Sequence, residues 1–133
     1  MTGVQTCALP ISAQGFDVAI VSIDKDFFQL VGDGVRIFDP RDDGAWYDEG
    51  GVVQKFGVKP SQVVDVLTLV GDSSDNVAGV PGIGKKSAVE LITTYGSLDA
   101  LYERASELRP KQRESLESNR EQALRSQIGR AHV

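Results

Sequence analysis

Cysteine and histidine are almost absent: Cys7 and His132 stand alone in 133 residues. A single cysteine cannot close an internal disulfide or build a thiolate zinc site, and it suits the reducing cytosol, where the protein is expected. A single histidine leaves no histidine-based metal or catalytic cluster. No apolar run approaches the roughly 20 residues that cross a bilayer, so no membrane partner is expected. A basic excess is missing too, because 14 Lys and Arg face 19 Asp and Glu for a formal charge of −5. Charge-driven coating of DNA or membrane is thereby excluded, and any nucleic-acid contact must be local or helped by bound cations. What the chain does have is 41% hydrophobic residues, enough for a core in one modest domain or part of a larger one.

The ends read differently from the middle. The opening MTGVQTCALPI lacks the charged start and long apolar stretch of a signal peptide; it and the closing SQIGRAHV resemble translated sequencing-adapter sequence. Residues 1–14 and 126–133 are therefore read as non-native, with a genuine strand around Val4 to Leu9 as the alternative. The informative stretch then runs from Gly15 to Arg125 as a fragment cut at both ends.

Phe16 to Ile23 (FDVAIVSI) is an apolar, β-branched run that predicts a strand buried on both faces, as in a parallel sheet. Asp24-Lys25-Asp26 ends it, FFQLV has helical character, and VRIF (Val35 to Phe38) reads as a second strand. Asp24 thus falls at the carboxyl end of a strand, the edge where open α/β sheets bind ligands. Ala45 to Tyr47 suits a short return strand. Helices follow: VVQKF from Val52 to a stop at Gly57, then one opened by Pro60 that buries Val63, Val64, Leu67 and Val70. Lys85 to Tyr95 is closed by Gly96, Ser97 caps a helix through Leu101, and a polar helix runs from Pro110 to Arg125.

Two acidic pairs are candidates for chemistry. Asp24 and Asp26 can converge on one hard cation, or Asp24 can cap the following helix while Asp26 is solvated. A calcium EF-hand loop is excluded because Phe28 stands where a third Asp or Asn is required. Asp72 and Asp75 point the same way if the backbone between them makes a helical turn, or else they belong to an ordinary turn with Ser73, Ser74 and Asn76. Together, two acidic pairs suit two-metal phosphate chemistry.

The glycine-rich stretch beside them, GVPGIGKK, fails as a nucleotide loop. Gly79, Gly84 and Lys85 have the spacing, but Lys86 replaces the required Ser or Thr and no strand precedes them. Gly82-x-Gly84 also lacks the third glycine of a dinucleotide fingerprint. A hairpin between helices remains, either a plain connector or one whose bare backbone and following helix N-terminus meet a DNA phosphate, with Lys85 and Lys86 adding local charge.

The ordered combination IDKDFFQLV, KFGVKPSQVVDVLTLVG and GDSSDNVAGVPGIGKKSA closely resembles the 5′ nuclease domain of bacterial DNA polymerase I and its stand-alone flap endonuclease relatives, through most of Val18 to Leu124. The resemblance implies an α/β fold in which a truncated parallel-sheet (PIN-like, Rossmann-like) nuclease core, 15–58, precedes a helix-hairpin-helix DNA-binding region, 59–125. It implies that Asp24, Asp26, Asp72 and Asp75 are ligands of two magnesium or manganese ions, none of them a nucleophile. It also implies that Gly82, Ile83, Gly84, Lys85, Lys86 and Ser87 grip duplex DNA with a 5′ end or flap, with a potassium ion at the hairpin carbonyls. A polymerase module in the same parent chain is the further implied partner. Ala78 stands where relatives commonly have proline, and the family's earlier acidic residues, catalytic basic residues and helical arch have no counterpart upstream of Phe16. A 5′-3′ exonuclease fragment impaired on its own is the expectation; a non-catalytic helix-hairpin-helix DNA-binding module is the alternative.

Overall fold

The computed structural model describes residues 3–41, 43–73 and 77–132. They form two units, 1–63 with 130–133 and 64–129.

The first unit is built on a three-stranded sheet of order β1 (Val18–Val21), β2 (Val35–Asp39) and β3 (Ala45–Tyr47). β1 and β2 are parallel, with Val18 opposite Val35 and Val21 opposite Phe38, and β3 returns antiparallel with Ile37 opposite Tyr47. A parallel pair needs a long crossover, here residues 22–34 with a 3-10 helix at Lys25–Leu30. β2 alternates, burying Val35, Ile37 and Asp39 while Arg36 faces out. Phe28 fills the space behind the sheet, its ring edge-on to Tyr47 at 5.1 Å and Phe56 at 4.9 Å. Helix α2 (Glu49–Phe56) starts where the Asp48 carboxylate accepts the Gly51 amide at 2.8 Å and ends at Gly57, whose φ of 80° is a left-handed C-cap.

Two expectations change here. β1 is buried on one face only: Ile20 is in the core, but Ala19 and Val21 on the opposite face are left uncovered, and the flanking Phe16 and Ile23 are exposed as well. The amino-terminal stretch forms a helix, α1 (Gly3–Ala13), which contacts β1 and β2, and no strand occurs at Val4 to Leu9.

The second unit is helical and begins within α3. In α3 (Pro60–Val70) every residue from Val63 to Leu69 is buried, so the helix is covered all round instead of along one stripe, and Val70 is only half-buried. The buried Asp65 satisfies two donors, the Leu98 amide at 3.1 Å and the Gln127 side-chain amide at 2.7 Å. After α3 comes a hairpin of two-residue strands, β4 (Gly71–Asp72) and β5 (Val77–Ala78). Helix α4 (Lys85–Tyr95) ends at Gly96, and Ser97 caps α5 (Leu98–Glu103) by accepting the Ala100 amide. The polar carboxyl-terminal run breaks into α6 (Pro110–Ser118) and α7 (Arg120–Ala131) at Asn119, which turns its side-chain amide back onto the Ser115 carbonyl at 2.7 Å. Among the described residues no helix is long and apolar enough to cross a membrane.

Candidate metal and nucleic-acid site

Asp24 follows β1 and is the N-cap of the 3-10 helix, its carboxylate accepting the Asp26 amide at 2.9 Å while its own amide donates to Ser22 Oγ at 3.0 Å. The capping alternative is therefore realised for Asp24, which remains exposed to solvent. Asp26 departs from it. Its side chain is 17% exposed and its Oδ1 accepts Arg130 Nη1 at 2.7 Å. Gln29 Nε2 ties the two segments together, donating to the carbonyls of Asp26 at 2.8 Å and Arg130 at 2.7 Å.

In the second unit, Asp72 is buried and lies on β4 opposite Val77. Its backbone is extended; Asp75, and with it the turn expected between Asp72 and Asp75, lies outside the described residues. Two glycines allow the hairpin to close. Gly71 sits at φ 79°, a Cβ on it would approach Gly79 Cα at 2.9 Å, and one on Gly79 would overlap the Val70 carbonyl. The Val80 amide then donates to the Leu69 carbonyl at 2.8 Å. Gly71 is a residue that sequence reasoning missed; the signal was a glycine at the end of an apolar helix with a second glycine eight positions on.

Val80-Pro81-Gly82-Ile83 makes the next turn, closed by the Ile83 amide on the Val80 carbonyl at 3.2 Å. Pro81 suits the second position and Gly82, at φ 82°, the third position of a type II turn. Ile83 is buried as the anchor, whereas Gly84, Lys85 and Lys86 are exposed and Ser87 is half-buried at the start of α4. Gly84 is the N-cap and offers no side-chain oxygen, and the first turn of α4 carries no acid. The turn is braced from α6 and α7, where Ser115 Oγ donates to the Pro81 carbonyl and Gln122 Nε2 to the Ala78 carbonyl at 3.1 Å. Neither brace is legible from spacing. An N-terminus without an internal cap favours an external anion.

As oxygen donors the carboxylates suit a hard divalent ion. Among the described residues, however, no group of three His, Cys, Asp or Glu side chains could hold a metal ion, and Asp26 is already charge-paired with Arg130.

Residues 58–128, more than half of the chain, match the family model described as 5′-3′ exonuclease, C-terminal SAM fold. The chain belongs to the 5′-3′ exonuclease family. Among curated family relatives, DNA polymerase I of Rhizobium leguminosarum is 44% identical over 117 residues, 87% of this chain and 11% of that one. Flap endonuclease Xni of Cronobacter sakazakii is 43% identical over 122 residues, 90% of this chain and 47% of that one. The chain therefore spans about half the length of the stand-alone relative and a small part of the polymerase. The fold is similar to that of phage T5 5′-exonuclease with zinc bound (TM-score 0.79, 23% identity, 92% of this chain and 46% of that one). It is also similar to T5 flap endonuclease in a pseudo-enzyme-product complex with DNA and metal ions (TM-score 0.81, 22% identity, 92% and 46%). The family and the α/β architecture expected from the sequence agree with these similarities.

Proposed function

We propose that this chain carries the carboxyl-terminal part of a structure-specific 5′-3′ exonuclease and flap endonuclease that hydrolyses DNA phosphodiester bonds in the cytosol, in primer removal and repair. The single observation that carries the reading is the exposed amino end of α4: its cap is glycine, its first turn holds Lys85 and Lys86 and no acid, and a braced turn presents it to solvent. Backbone amides and a positive helix end are the chemistry that holds a phosphate.

In this reading Gly82, Ile83, Gly84, Lys85, Lys86 and Ser87 hold the duplex backbone, with a potassium ion at the turn's carbonyls. Asp24 and Asp26 supply oxygen ligands from the first unit, and Asp72 and Asp75 from the second. Two magnesium or manganese ions, when bound, lower the pKa of a water and stabilise the leaving oxygen. The carboxylates stay ionised as ligands throughout and do not attack the phosphorus. The substrate is duplex DNA with a 5′ end or flap, and the parent chain carries further ligands and, in one version, a polymerase module. Without those ligands the 133-residue chain cleaves poorly. A flap-cleavage assay in magnesium or manganese tests this: weak or no cleavage by the chain is expected, and robust cleavage abolished by Asp72→Ala would refute the impairment.

The second reading, a DNA-binding module without catalysis, draws on the exposed turn and α4 amino end alone, which need no metal ligand. Duplex binding that is lost on Gly84→Leu but unchanged on Asp24→Ala favours it only if no cleavage can be restored by a longer form of the protein.

A further inference from the structure

Among the described residues β1 has a strand neighbour on one side only, β2. The Val18 and Ser22 amides donate to the Gly34 and Phe38 carbonyls on that side. In the parallel ladder Ala19 and Val21 therefore turn their amides and carbonyls the other way, to the open edge. Such edges are ordinarily blunted by a lysine, a proline or a bulge. Val18 to Ile23 reads VAIVSI, with neither charge nor proline, and its register with β2 is unbroken. Val21 is 65% exposed and Ile23 54%. On the same outer face Val21 stands level with Phe38, and Phe38 with Trp46, the two rings 5.0 Å apart. An apolar row thus crosses the sheet and stops at the open edge. Asp17 and Lys25 flank it at equal distances in sequence from Val21.

We infer that two copies of this chain join through β1, antiparallel about a two-fold axis at Val21, into one continuous sheet. Val21 then meets Val21 of the second copy, Ala19 meets Ile23, and Asp17 at one end faces Lys25 at the other. The register that prolongs the apolar row also pairs opposite charges, in both directions because a two-fold contact is self-complementary. An axis at Ile20 would match the hydrogen-bonding groups equally well, but it sets Asp17 against the apolar Ile23 and pairs no charge.

Sedimentation velocity of the full 133-residue chain, from micromolar to millimolar concentration, tests it. The mass is expected to rise from one chain to two. Val21→Lys sets two like charges opposite each other and weakens the dimer at least about tenfold. A chain that stays monomeric throughout, or a dimer that Val21→Lys leaves unchanged, overturns the inference. Should circular dichroism find Val21→Lys unfolded, cysteine pairing decides. In a Cys7→Ser background, Val21→Cys must link to itself under mild oxidation, because directly opposed residues of a hydrogen-bonded antiparallel pair lie about 5.5 Å apart, within disulfide reach. Ala19→Cys in the same background must not, since two copies of residue 19 are then separated by more than about 10 Å along the strands. No link through residue 21, or equal linking through both positions, overturns the inference.

Discussion

Gly71 and Gly79 lie backbone to backbone across the β4–β5 hairpin, so close that a Cβ on Gly71 would meet Gly79 Cα at 2.9 Å. Asp72 directly follows Gly71 on the two-residue strand β4, so this contact helps to position it. Gly79→Ala must push the hairpin open against the Val70 carbonyl, an overpacking cost of about 1–3 kcal/mol. Urea denaturation measures it. An unchanged midpoint would mean that the hairpin is not closely packed and that Asp72 owes its position to something else.

A different buried acid, Asp65, ties the helices of the second unit together. It is buried and accepts both the Leu98 amide, at the first turn of α5, and Gln127 Nε2. Asp65→Ala leaves both donors without that acceptor, a loss of about 1–3 kcal/mol in unfolding free energy. Asp65→Asn, which keeps one acceptor oxygen, is expected to recover part of it. Equal losses for both substitutions would contradict the hydrogen-bond account.

Much of the helical part was legible because its signals are local. Pro60 opens α3, Gly96 stops α4 and Ser97 caps α5, each through its own backbone preference or side-chain oxygen. The α6–α7 break was not legible, since Asn119 interrupts a polar run that has no glycine or proline at that point. Nor was the β4–β5 hairpin, where strands of two residues have no periodicity to read and close only because two separated glycines meet. The pairing of Asp26 with Arg130 links residues 104 positions apart, beyond any spacing rule. Spacing left both acidic pairs open, and it could not say which carboxylate the chain itself would neutralise.

Acid stability depends on a third aspartate. Arg41 makes a two-pronged side-chain contact with Asp39, at 3.0 and 2.7 Å, and also donates its backbone amide, which together lower the Asp39 carboxyl from 3.8 to about 2. A carboxyl with a depressed folded pKa stabilises the fold above its unfolded pKa and stops doing so as pH falls through the folded value. Unfolding free energy is therefore expected to fall between pH 4 and about 2 through this group. Asp39→Asn should flatten that part of the profile, and an identical acid limb in both proteins would exclude Asp39 as a contributor.

Alkaline stability has a matching group. Burial raises the Tyr102 hydroxyl above its usual 10.0, and its O–H donates to the Leu116 carbonyl at 3.1 Å. A group whose folded pKa is raised contributes fully below its unfolded pKa and loses that contribution as pH rises through the folded one. Stability is thus expected to decline above pH 10, and Tyr102→Phe should remove that decline. A decline of the same size in Tyr102→Phe would assign it to other groups.

At the α4 amino end, where DNA is proposed to bind, two glycines separate fold from contact. Gly82 needs its positive φ, so Gly82→Ala costs about 1–2 kcal/mol of left-handed strain. Gly84 has an ordinary extended backbone and open space around it, so a side chain there blocks a ligand without disturbing the fold. The most direct measurement is fluorescence anisotropy of a 5′-flap duplex with the unaltered chain and with Gly84→Leu, each checked for the same melting temperature. The account requires binding by the unaltered chain and at least about a tenfold loss in Gly84→Leu, the scale of one lost charge-assisted phosphate contact; equal binding by the two folded proteins would contradict it.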